Sequence, residues 1–156
     1  MLYVTDTHPL IHFSTGKRQK LGKNARRVFQ EAEQGRARIA IPVTVLEEIL
    51  RLSEDGRIRL GVSFPELVAY YRQEPSPFFI QDYTPDILLS VVQFPAIRDP
   101  FDRVIVATAH TASLTSDYFA ASSRRLGDAL AAYLNCQPPT GLLRTTSGRG
   151  SPGAPR

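Results

Sequence analysis

Arg98-Asp99-Pro100-Phe101-Asp102-Arg103-Val104-Ile105-Val106-Ala107-Thr108-Ala109 is the stretch that organises the chain. Asp99 suits a helix N-cap and Pro100 the first helical position. Asp102 falls in the first turn, where the helix dipole favours negative charge. The helix predicted from here to about Ala109 or Ala112 is apolar nearly all round, through Val104-Ile105-Val106-Ala107 and Ala109. A helix of that kind is buried on most sides. Its two leading aspartates therefore bring negative charge to the interior or to a cleft.

Upstream, Leu2 to Val4 is a short apolar run that turns polar at Thr5-Asp6-Thr7-His8, the pattern of a buried strand ending in a loop, with Pro9 opening a short helix. Arg38 to Ile41 and Phe78 to Ile80 are two further strand candidates. Helices are predicted over Asn24 to Glu33, Pro42 to Ser53, Phe64 to Glu74 and Thr84 to about Phe94. Short strands separated by helices imply crossover units and a parallel sheet, hence an α/β fold. Downstream, Ala120 to Tyr133 has the pattern of a small-residue helix, and no closing strand is evident beyond Asp117. Residues 138–156 hold four of the twelve prolines, four of the ten glycines, three arginines and no acid, the composition of a flexible tail. The expected organisation is one domain over 1–133 and a tail over 134–156.

A chain of 156 residues suits one domain with a genuine core, and 42% hydrophobic with 22% charged residues excludes global disorder. The single cysteine, Cys136, excludes an intrachain disulfide and a multi-cysteine zinc site. No apolar run approaches the roughly 18 residues that span a bilayer, and the first residues lack a signal-peptide pattern. A cytoplasmic chain without membrane contact is expected. The formal net charge of +4 is unevenly spread: residues 1–133 carry only +1, Ser14 to Arg38 carries +6 and Gly61 to Asp102 carries −4.

An α/β sheet gathers acids at the ends of its elements, because ligands bind beyond the carboxyl ends of its strands. Asp6 follows the first strand. Glu47 and Glu48 sit at opposite margins of the polar half of the Pro42 to Ser53 helix, so periodicity does not choose between them. Asp99, Asp102 and Asp117 complete the set. Clustered carboxylates raise one another's pKa unless a cation joins them, and hard oxygen donors favour Mg²⁺ or Mn²⁺. Such ions activate water and steady the charge that builds on a phosphoryl group.

Four stretches, in this order, resemble the PIN-domain ribonucleases, specifically the VapC-type toxins of toxin–antitoxin pairs. They are Tyr3-Val4-Thr5-Asp6-Thr7-His8-Pro9-Leu10, Leu46-Glu47-Glu48-Ile49, the Arg98 to Ala109 segment, and Thr115-Ser116-Asp117. The resemblance spans Tyr3 to about Asp117 and implies a three-layer α/β/α fold on a short parallel sheet, with an acidic Mg²⁺ or Mn²⁺ pocket. It also implies RNA cleavage by metal-activated water, a homodimer, and a cognate antitoxin protein. Position by position, the family's catalytic acids fall on Asp6, Glu48 and Asp102, with Asp99 and Asp117 as further metal ligands. Only His110-Thr111-Ala112-Ser113-Leu114 separates the Ala-Thr-Ala helix from Thr115, fewer residues than the family has there, so the C-terminal portion is atypical.

On this reading Lys17, Arg18, Lys20, Lys23, Arg26 and Arg27 contact RNA phosphates, and Thr7 and Thr108 are candidates to hydrogen-bond the pocket carboxylates. The alternative is a PIN-like module that binds antitoxin or RNA with its catalysis impaired. An amidohydrolase-type site at Asp6-Thr7-His8 is excluded, since it needs a histidine where Leu10 stands and a chain of roughly 250 residues.

Overall fold

The first strand, β1 (Leu2–Thr5), has Tyr3, Val4 and Thr5 all buried. Successive residues of a strand face opposite sides of its sheet, so β1 is covered on both faces. The same holds for β2 (Arg38–Pro42), where Ile39, Ala40 and Ile41 are all solvent-free. With β3 (Phe78–Gln81) and β4 (Tyr118–Ala121) they form a four-stranded parallel sheet in the order β3-β2-β1-β4. The register pairs Tyr3 with Ile39 and Phe119, and Ile41 with Ile80. The computed structural model describes residues 1–113 and 118–121.

Helices supply the crossovers that parallel strands require. Between β1 and β2 run α1 (Thr7–Ser14), a 3₁₀ turn (Arg18–Lys20) and α2 (Lys23–Glu33); between β2 and β3 run α3 (Val43–Glu54) and α4 (Phe64–Tyr71). Between β3 and β4 run α5 (Pro85–Val91) and α6 (Pro100–Ser113). From β1 the chain winds outward through β2 to β3, then returns to lay β4 on the other side of β1. The carboxyl end of β1 therefore lies where the strand order reverses, the place where open α/β sheets form a crevice.

The expected strands and helices lie within a few residues of their predicted positions, and the α/β parallel sheet is as expected. The end of the described chain is a correction. Tyr118 to Ala121 forms the closing strand that the sequence does not reveal, and Ala120 and Ala121 belong to it rather than to a helix. Four residues are too few to show a period, and pairing along the whole of β1 overrides alanine's helix preference. The remainder of the predicted 120–133 helix, and the predicted tail, lie outside the described residues. The 3₁₀ turn at Arg18–Lys20 is a further element that the sequence pattern does not signal. It follows Gly16, whose φ of 69° permits the reversal after α1.

Candidate active site

Asp6 is 5% exposed at the carboxyl end of β1 and is the N-cap of α1, its Oδ1 accepting the Thr7 N–H. The helix dipole compensates part of the cost of burying this charge. Thr7 is fully buried, and its Oγ1 donates to Glu48 Oε2 at 2.6 Å. That bond crosses from α1 to α3 and selects between the two glutamates. Glu48 is half-buried beside Thr7, whereas Glu47 is exposed.

Asp99 caps α6: its Oδ1 accepts from Phe101 N at 2.8 Å and Asp102 N at 3.1 Å. Asp102, one turn in, is half-buried and has no hydrogen-bond partner on its carboxylate among the described residues. Burial holds its pKa above the ordinary carboxylate value, and the charges of Asp6, Asp99 and Glu48 add to the effect; His8 opposes it. Four acids from three separate parts of the chain thus share one electrostatic neighbourhood. Among the described residues no lysine or arginine forms an ion pair with any of them. Nor, among those residues, does any group of three or more His, Cys, Asp or Glu stand ready to hold a metal ion.

Other predicted residues sort differently. Asp117 lies outside the described residues, and the β4 residue paired with Thr5, beside Asp6, is Ala121. Thr108 is buried and donates to Val104 O at 2.8 Å, a bond within its own helix rather than to a carboxylate. His110 meets Ser90 Oγ at 3.0 Å and the edge of Phe94, on the side of α6 that packs on α5. His8, exposed two residues after Asp6, is the histidine whose influence reaches Asp102.

All six predicted RNA-contacting residues are exposed. Arg18 pairs with Glu33 at 2.8 Å, Arg27 with Glu31 at 2.7 Å, and Arg26 reaches the Gln19 and Leu21 carbonyls at 3.3 and 3.4 Å. Lys17, Lys20 and Lys23 form no ion pair among the described residues. Arg51 on α3, one turn after Glu48, has its guanidinium 5.6 Å from the Phe101 ring centroid. Compared with known proteins, the chain matches no family model and no curated protein.

Proposed function

We propose that the chain is a metal-dependent ribonuclease of the PIN type, acting as the toxin of a toxin–antitoxin pair. The observation that supports this reading is that the charges of Asp6, Asp99 and Glu48 all act on half-buried Asp102, while among the described residues no lysine or arginine pairs with any of the four. Mutually repelling carboxylates in a crevice are a liability to the fold, and a divalent cation relieves it. The donor set, oxygen throughout, fits Mg²⁺ or Mn²⁺.

Asp6, Glu48, Asp99 and Asp102 would hold the ion. Such an ion supplies water activation and neutralises charge on a phosphodiester undergoing displacement. The chain's own residues set the stage for it. Asp6 is fixed by its cap bond, Glu48 by Thr7, and Asp99 by two backbone donors. Each keeps a second carboxylate oxygen without a partner among the described residues. The toxin reading carries an antitoxin and a second protomer with it, and exposed Leu88, Leu89 and Val92 on and after α5 offer apolar surface for contact. Among the described residues no helix is long and apolar enough to cross a membrane.

Asp6→Asn and Glu48→Gln, assayed separately for RNA cleavage with Mn²⁺ after removal of any bound antitoxin, test the proposal. Asparagine remains a good N-cap, so Asp6→Asn keeps the fold while removing the charge. Wild-type cleavage by either variant overturns the metal-pocket reading.

Thr7 gives a finer test as a positioning residue. Partners that orient metal ligands typically contribute 10- to 100-fold in affinity or activity, so Thr7→Val is expected to slow cleavage by about that factor. The Mn²⁺ concentration needed for half-maximal rate rises in the same variant, and Thr7→Ser restores both. A change in the urea midpoint without a change in Mn²⁺ dependence would assign Thr7 to packing alone.

A further inference from the structure

His8 and His12 lie four residues apart on α1, on one face of the helix and about 6 Å apart along its axis. The turn after α1 brings two lysines to the same place. Gly16 reverses the chain, and Arg18 then fastens the 3₁₀ turn on both sides, lying 5.0 Å from the Phe13 ring centroid and pairing with Glu33 at 2.8 Å. Lys17 and Lys20 bracket that turn, joined by a 2.9 Å bond from Lys20 N to Lys17 O. Arg18 is committed to Glu33; among the described residues the two lysines pair with no acid.

The result is a string of two histidines and two lysines leading away from the carboxylates. His8 acts on Asp102 at one end and on His12 at the other, and Lys20 and Lys17 act on His12 from the turn. Among the described residues no carboxylate offsets them at His12. From α3, which packs on α1, Glu48 is taken by Thr7; from α4, Tyr71 bonds Ser14 Oγ at 2.7 Å. His12 Nδ1 is out of solvent with no partner among the described residues. Four like-charged or chargeable groups without an acid form an arrangement that an anion stabilises and its absence does not.

We propose that His8, His12, Lys20 and Lys17 form a track for consecutive phosphates of a single-stranded RNA leaving the carboxylate pocket, and that His12 takes up a proton when the RNA binds. The track rests on the ribonuclease reading for its choice of polyanion. In the free protein, burial first and then Lys20, His8 and Lys17 hold the His12 pKa below the ordinary histidine value, which favours the neutral ring. A phosphate beside the ring favours its charged form. Binding therefore strengthens as the pH falls and protonating the ring becomes easier.

The test is anisotropy of a labelled single-stranded RNA on the full chain in EDTA, where metal-dependent cleavage is off. Between about pH 7.5 and about pH 5.5 the wild type is expected to tighten about fivefold more than His12→Gln, the size of one charge-assisted contact. His12→Lys, always charged, binds as tightly at the upper end of this range as the wild type at the lower end. Removing both lysines together, Lys17→Ala with Lys20→Ala, flattens the log Kd against log salt slope by about 1.4, two contacts to a single strand. A His12→Gln protein with the wild-type pH response, or a double variant with the wild-type salt slope, overturns the track. Binding that follows the track without any cleavage in Mn²⁺ refutes the ribonuclease reading alone. Cleavage with binding indifferent to these residues refutes the track alone.

Discussion

Asp102→Asn is expected to abolish most RNA cleavage while leaving the metal-free protein at least as stable as the wild type. The two halves of this result have one cause. Asp102 is half-buried on α6 and lies in the field of Asp6, Asp99 and Glu48, so its ionised form is disfavoured in the fold. An acid whose folded pKa is raised contributes no penalty below its unfolded value, and the full penalty above its folded value. Stability of the wild type in EDTA therefore declines as the pH rises from the ordinary aspartate range through the raised value, and Asp102→Asn removes that part of the decline. Solvent reaches this carboxylate, so the gain at neutral pH is at most about 1 kcal/mol. Activity moves the other way. Outer partners of metal ligands already contribute 10- to 100-fold, so loss of a proposed ligand lowers the cleavage rate by at least about a hundredfold. The comparison that checks both is a thermal scan with and without Mn²⁺ beside a cleavage assay. The wild type gains stability from millimolar Mn²⁺ and the variant gains less. A variant that is less stable in EDTA and equally stabilised by Mn²⁺ would show that Asp102 is a structural cap residue and not a ligand.

The features legible in the sequence are those that depend on neighbours along the chain. Asp99-Pro100-Phe101-Asp102 spelled out a helix start, and its Asp99 cap bonds and the buried run from Val104 to Ala109 match it. Proline positions likewise marked the starts of α4 and α5. The features hidden in the sequence depend on what lies across space. Glu47 and Glu48 have equal claims on a helical wheel, and only the bond from Thr7 separates them. Resemblance favours Glu48 on the strength of the following isoleucine, and of the two it is Glu48 that Thr7 bonds in the fold. β4 was missed because its pairing partner, β1, lies more than a hundred residues away in the chain. The basic segment was legible as charge alone: sequence cannot tell that Arg18 and Arg27 have acids of their own while Lys17 and Lys20 crowd His12.

Phe29→Ala is expected to have the largest effect on the fold, about 3–5 kcal/mol, against a total stability of 5–15 kcal/mol for a domain of ordinary size. Phe29 is 1% exposed on α2 and stacks on Phe13 of α1 at 4.4 Å between ring centroids. Both rings meet Phe78 of β3, at 6.0 and 5.3 Å, and Phe78 meets Tyr71 of α4 at 6.0 Å. Four elements distant in sequence thus close on one aromatic cluster, and removing this fully buried ring leaves a void that none of them can fill alone. The chain has no tryptophan, so far-UV dichroism against urea is the suitable measurement. A lower midpoint with an unchanged slope identifies a loss of packing rather than a change in the unfolded state. Phe29→Leu, which leaves a smaller void, costs less. The consequence extends to the surface, because Phe13 is also the ring beneath Arg18. If Phe13 relaxes into the space left by Phe29, the 3₁₀ turn loses the ring on which Arg18 rests. RNA binding at Lys17 and Lys20 then weakens even where the protein remains fully folded. A Phe29→Ala protein destabilised by less than about 1 kcal/mol would mean that the three phenylalanines are not a packed unit, since a well-formed core ring is never so cheaply removed.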